Sequence, residues 1–407
     1  MDRQVIGKNL KGNMNNTPKT NAAWGLALLP ILLLGLVLSW IVISGGGLRD
    51  LTGPPVESLK VQRVTLPQPG MIIAEVVNDG PQDVTIAQVL VDDAFWRFTV
   101  QPSTTLARFG KATFRIPYPW VADEAHNLVF LSSTGSKFEH IIPVAVETPR
   151  MDWELLLRFA LVGLYVGVVP VALGLLWYPF MRRMGARAMN AILALTVGLL
   201  VYLAIGTYID AQEFAAETPI FFQGTPLVVL VAMLTLGAVI ALGNRKKLNT
   251  DMPADPLAIS YRIAFGIGLH NLGEGLAIGA AFANGQAALG TLLILGFTLH
   301  NITEGVGIAA PIVRRETRLK HFIMFAMIAG SPAIIGTLVG SYAFDPVLAT
   351  VFLAIGLGAI IQVIIEVGTL VIKGSQRLGE PVINWINFSG LAAGMAIMYV
   401  TAFLVKF

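Results

Sequence analysis

The chain has 407 residues, 55% hydrophobic and only 13% charged, with a mean hydropathy of +0.70 and a formal net charge of +3. That balance excludes an ordinary soluble domain and indicates an all-α polytopic membrane protein. Cysteine is absent, which excludes disulfides, thiolate zinc sites and iron–sulfur clusters. The basic residues fall in short segments between apolar runs, so the basic balance reflects topology and not nucleic-acid binding.

The first apolar run, about 24–44, follows Arg3, Lys8, Lys11 and Lys19, which predicts a cytoplasmic N-terminus. A signal-peptide core is about 7–15 residues long. The run from Ala22 to Ser44 is longer, although Ser44-Gly-Gly-Gly47 is small enough for cleavage, and it reads as a retained anchor within a 1–45 segment.

Residues 46–149 read as a separate extracytoplasmic β-domain. Strand patterns run over Met71–Val77, Val84–Val91, Trp96–Val100, Ala112–Ile116, Leu128–Leu131 and His140–Val146, with a turn at Asn78-Asp-Gly-Pro81. Short strands with turn signals every 8–12 residues predict an Ig-like β-sandwich. A blue-copper domain would need His, His and Cys. Only His126 and His140 are present, without Cys, and both read as surface or edge residues.

Eight further spans follow in 150–407: about 156–178, 189–209, 225–243, 258–282, 287–312, 320–342, 346–372 and 385–405. Alternate loops carry Arg182, Arg183 and Arg187; Arg245, Lys246 and Lys247; Arg314, Arg315, Arg318 and Lys320; then Lys373 and Arg377. The opposite loops carry Asp210, Glu213 and Glu217, then almost no charge, then Asp345. Every crossing obeys the positive-inside rule, which supports both the span count and a multi-pass plasma (inner) membrane location with the β-domain outside.

The motif Leu269-His-Asn-Leu-Gly-Glu-Gly-Leu recurs thirty residues later as Leu299-His-Asn-Ile-Thr-Glu-Gly-Val. Each copy sets His and Glu four apart, on one helix face. An intramembrane charge costs about 2.5–3.5 kcal/mol on the insertion scale, so the repeat needs compensation. His270 and His300 fall about 18–20 Å into antiparallel helices, near midplane, as in inverted-repeat transporters. His270 and Glu274 are expected to face His300 and Glu304, with Asn271 and Asn301 turned about 100° away. Imidazole plus carboxylate suits Zn²⁺ and other first-row divalents. Gly275 and Gly305 would let neighbouring helices approach.

The doubled His-Asn-x-x-Glu-Gly on consecutive helices of an eight-helix core resembles the ZIP family of divalent metal transporters over about 156–407. The resemblance implies a metal site between the fourth and fifth core helices, with His270, Asn271, Glu274, His300, Asn301 and Glu304 as ligands. It also implies a homodimer. In the seventh core helix, Gly356–Glu366 resembles the family's small-residue helix ending in an acid. Glu366 then reads as an exit-path residue with Gln362 one turn above; the other reading pairs it with a nearby Lys or Arg. Three features depart from the family pattern. Gly273 and Thr303 stand where Pro usually precedes the motif Glu, Ala333 stands where a bridging Glu would fall, and Asn244–Leu257 has no His. The resemblance implies a binuclear site, and the missing bridging Glu leaves a single-metal site as the alternative.

The expected function is inward transport of a divalent metal, Zn²⁺ first among several, with the ion, the bilayer and a second copy of the chain as expected partners and no nucleic acid. No catalytic motif is found: there is no His-Glu-x-x-His for an intramembrane metal hydrolase. A metal sensor or scaffold led by the β-domain is the remaining alternative.

Overall fold

The first element, α1 (Thr20–Ser44), is apolar on every side, with Leu33, Leu36 and Trp40 each more than half exposed. Such a helix suits a lipid environment better than water. The computed structural model describes residues 20–44, 56–148, 152–244, 255–283, 287–342 and 345–405. The basic residues 3–19 and 245–247 used to predict orientation lie outside them, as does most of the Asn244–Leu257 loop. The chain divides into two compact units between Val56 and Glu57.

The second unit begins with nine strands: β1 (Leu59–Gln68), β2 (Met71–Asn78), β3 (Val84–Val91), β4 (Ala94–Trp96), β5 (Thr99–Gln101), β6 (Thr105–Leu106), β7 (Lys111–Ile116), β8 (His126–Ser132) and β9 (Lys137–Ile142). They form two antiparallel sheets, ordered β1-β2-β7-β5 and β4-β3-β8-β9, with β6 added to β3. Alternating residues fill the space between them, led by Ile72, Val76, Phe114 and Phe130, and the last two rings meet at 5.0 Å. On β3 the buried positions are Val84 and Ile86, then Val89 and Val91. The register shift between Ile86 and Gln88 inserts one residue and resets which side faces the core.

Three sequence expectations change here. Trp96–Val100 is not one strand: β4 belongs to one sheet and β5 to the other, so the chain crosses between sheets at Arg97-Phe98. The last strand is Lys137–Ile142, earlier than His140–Val146, because it pairs with β8 up to Ile142 against His126. His126 is not a surface residue; it is only 3% exposed. Its Nδ1 lies 2.7 Å from Asp92 Oδ2, and its Nε2 accepts from the Val121 amide at 3.2 Å. Asp92 also accepts from Tyr118 Oη and the Asn127 amide. Partial burial pushes the Asp92 carboxyl up, but the hydrogen bonds from Tyr118, Asn127 and His126 outweigh it and leave it below the usual range. The same bond to Asp92 pushes the Tyr118 hydroxyl up to about 12. Asp92 and Asp93 both have positive φ and form the two-residue turn of the β3–β4 hairpin. His140 is half-buried on the edge strand β9, where burial pushes its imidazole down.

The helical part contains α2 (Trp153–Gly163), a π-turn (Leu164–Val168), α3 (Val169–Leu175), α4 (Tyr178–Met181), α5 (Ala186–Glu217), α6 (Gly224–Asn244), α7 (Pro256–Ala283), α8 (Ala287–Ala309), α9 (Leu319–Tyr342), α10 (Pro346–Leu378) and α11 (Trp385–Val405). Among the described residues, seven helical segments are long and apolar enough to cross a membrane, with the stretch from α2 to α4 counted as one. The chain is therefore a multi-pass membrane protein in composition and length. At 28 residues α7 is long enough, yet it is not among the seven. His270, Asn271 and Glu274 lower its hydropathy, and it lies deep in the bundle with most of its side chains buried.

Helix packing relies on small residues. A Cβ on Gly275 of α7 would stand 2.3 Å from the Ala333 carbonyl oxygen of α9, and one on Gly305 of α8 would stand 2.3 Å from the Val171 carbonyl oxygen of α3. Both positions therefore require glycine for these backbone contacts. The acidic residues 210–217, expected in a loop, form the last turns of α5. The end of α5 and the 3-10 turn after it (Ile220–Phe222) meet the β-domain. Lys60 Nζ donates to the Ala216 carbonyl at 2.7 Å, Asp79 accepts from the Ile220 amide at 3.3 Å, and the Phe109 and Phe221 rings meet at 5.0 Å.

Candidate metal centre

The helices α7 and α8 run antiparallel and bring the two motif copies together. His270 and Glu274 are each 2% exposed, His300 6% and Glu304 3%, so four ionisable side chains share one buried volume. Glu274 Oε1 accepts from His300 Nε2 at 2.6 Å and lies 2.9 Å from His270 Nε2, out of line for a hydrogen bond to the latter. Ligand atoms of His270, His300 and Glu304 all lie within 4.8 Å of one another. The two imidazole rings are 6.3 Å apart.

Each Asn of the motif reaches a backbone carbonyl of a neighbouring helix close to a proline. Asn301 Nδ2 donates to the Val166 carbonyl at 3.0 Å, within the π-turn. Pro170 stands four residues after Val166 and has no N–H to return to it. Asn271 Nδ2 donates to the Ala329 carbonyl at 2.9 Å, just before Pro332 in α9. At the motif, Thr303 Oγ1 donates to the His300 carbonyl at 2.6 Å, and Gly273 faces α10 near Phe352.

With both amide groups so engaged, the Oδ1 atoms of Asn271 and Asn301 and both carboxyl oxygens of Glu304 are buried without any hydrogen-bond partner. Leaving a buried acceptor unmet costs about 1–3 kcal/mol, and more for a charged group. Four such oxygens together with two imidazoles make the cluster rich in acceptors that no described donor meets, which is the chemistry of a cation site. Ala333 is 1% exposed in the α7–α9 contact and brings no carboxylate, so the described ligand set is that of the two motif copies alone.

A cavity of about 300 Å³ runs from Asp210 in the last turns of α5, past Tyr202 and Leu293, to His270, Glu274 and His300. Beyond it Glu304 and Thr303 border a void of about 10 Å³, the size of one water or small ion. Glu366 is not with this cluster. It pairs with Arg262 of α7, accepts from Gln362 Nε2 at 3.4 Å, and borders a separate cavity of about 220 Å³ at the end of the bundle away from the β-domain.

Sequence reading missed the Val166 and Ala329 carbonyls, while the alternative that paired Glu366 with a basic residue is met by Arg262. Pro170 and Pro332 inside apolar runs were the available sign of the two carbonyls. No protein-family model matches the chain, and no curated protein matches it.

Proposed function

We propose that the protein carries a divalent transition-metal ion, Zn²⁺ first, across the membrane through the His270/Glu274/His300/Glu304 cluster. The observation that carries this reading is the set of partnerless buried oxygens on Glu304, Asn271 and Asn301 around two imidazoles. On this reading the ion is the substrate. It enters along the cavity from Asp210, exchanges water for imidazole and carboxylate at the cluster, and leaves after Glu304 is exposed to the far side. Asp210 lines this cavity together with His270, Glu274 and His300, which supports an entry path that reaches the cluster. The ZIP-like eight-helix core, the Ig-like reading of the two-sheet domain and the extracytoplasmic position of that domain belong to the same proposal. The loop charges then make the direction inward.

The asymmetry within the repeat gives the two acids different roles. Glu274 holds the His300 imidazole by a hydrogen bond and lies beside that of His270, while Glu304 has its acceptors free for the incoming ion. The test is ⁶⁵Zn²⁺ flux into proteoliposomes. Saturable uptake by the wild type, lost in Glu274→Ala/Glu304→Ala, is expected. Zinc binding without flux in either protein would overturn the carrier reading and favour a sensor.

A further inference from the structure

A second cavity, of about 390 Å³, lies at the end of the bundle opposite the β-domain, between the start of α5 and the ends of α8 and α10. Arg182, Arg314, Lys373 and Arg377 line it, and among the described residues no carboxylate does. The acids on that face are engaged elsewhere or lie off the cavity: Glu380 pairs with Arg187, Asp255 with Arg315, Glu366 with Arg262, and Glu316 does not line it. Lys373 and Arg377 stand one turn apart on α10, where like charges repel. Arg182 is held over the Tyr178 ring, 5.8 Å from its centroid. The inner wall is apolar, with Leu193 and Val313.

From this we infer that the cavity binds the phosphate headgroup of an anionic phospholipid. Four cations around one cleft repel any metal ion and attract a phosphate, which guanidinium groups hold by paired hydrogen bonds. The apolar wall takes the glycerol and upper acyl carbons, which a free phosphate would leave uncovered. Basic residues spread by topology alone would have no reason to converge on one cleft. Arg183, Arg318 and Lys320 share the face and do not line it, so they serve as a control.

The test uses the full chain in mild detergent, titrated with dihexanoyl-phosphatidylglycerol, dihexanoyl-phosphatidylcholine or inorganic phosphate and read by native mass spectrometry. One phosphatidylglycerol should bind at least about tenfold tighter than phosphatidylcholine. Arg182→Gln/Arg314→Gln/Lys373→Gln/Arg377→Gln should lose at least about tenfold of that affinity, and Arg183→Gln/Arg318→Gln/Lys320→Gln less than about twofold. If the fourfold variant does not fold, Lys373→Gln/Arg377→Gln should still show a loss of about fivefold. Equal loss in the control variant, or equal binding of the two lipids, overturns the proposal. Phosphate binding as tight as phosphatidylglycerol overturns the lipid assignment.

Discussion

The two motif glutamates share the His-Asn-x-x-Glu-Gly pattern but not their surroundings, so neutralising them should have opposite effects on the metal-free protein. Glu274→Gln replaces an acceptor that lies 2.6 Å from His300 Nε2 and 2.9 Å from His270 Nε2. Losing one charge-assisted bond and leaving an imidazole donor buried should cost about 2–3 kcal/mol. Glu304→Gln removes a buried carboxyl group whose two oxygens have no hydrogen-bond partner. The amide can donate toward the equally partnerless Asn271 Oδ1 and should stabilise the metal-free protein by about 1–2 kcal/mol. Zinc should reverse the order. At a hundredfold excess over Kd it adds about 2.7 kcal/mol to the wild type, and Glu304→Gln should gain almost none of this. The assay is thermal unfolding in detergent with EDTA or with excess Zn²⁺. A metal-free Glu304→Gln protein less stable than wild type, or one that keeps the full zinc shift, would refute the reasoning.

Asn301→Leu should destabilise the protein by about 1–2 kcal/mol by leaving the Val166 carbonyl without its amide donor. Adding Pro170→Ala returns a backbone N–H and should recover most of that loss, so additive effects in the double-mutant cycle would count against it. Gly275→Val should prevent the close α7–α9 approach, since its Cβ would sit 2.3 Å from a backbone oxygen. The expected result is loss of a monodisperse peak in size-exclusion chromatography, and a well-folded variant would show that the helices can separate. In the β-domain, the Tyr118 hydroxyl titrates near 12 against its ordinary 10.0. Its bond to Asp92 therefore contributes stability below pH 10 that is lost as pH rises toward 12, while the Asp92 contribution is present at neutral pH and lost as acid protonates it. Tyrosinate absorbance of wild type minus Tyr118→Phe should show the raised midpoint, and Asp92→Asn should bring it back toward 10; an unchanged midpoint in Asp92→Asn would exclude Asp92 as the cause.

The spans were legible because an apolar run of twenty or more residues has few other uses. Helix ends were less so. Asp210, Glu213 and Glu217 read as loop, yet charged residues at the end of a long helix stay helical while remaining polar. In the site, the four-residue spacing of His and Glu gave the shared face, and the matched depth of the two copies brought those faces together. The spacing could give the direction of Asn271 and Asn301 but not their partners, because those carbonyls lie 58 and 135 residues away. Long-range pairing likewise hid the environment of Glu366, whose Arg262 is 104 residues distant, and of His126, whose Asp92 sits in a hairpin turn 34 residues earlier. Helical periodicity reports a face; it carries no information on which element will cover it.

The composition of α7 also bears on biogenesis. A helix is released into lipid one segment at a time when its own transfer energy is favourable. With His270, Asn271 and Glu274 at its centre, α7 is not among the described helices whose length and hydropathy suit a membrane crossing, and its composition is unfavourable for release on its own. It is expected to wait at the insertion machinery until α8 and α9 emerge, and then to enter as a hairpin with its polar face already covered. On the proposed reading, the residues that would hold a cation thus make the order of synthesis, Glu274 before His300 and Ala329, part of how the site is assembled.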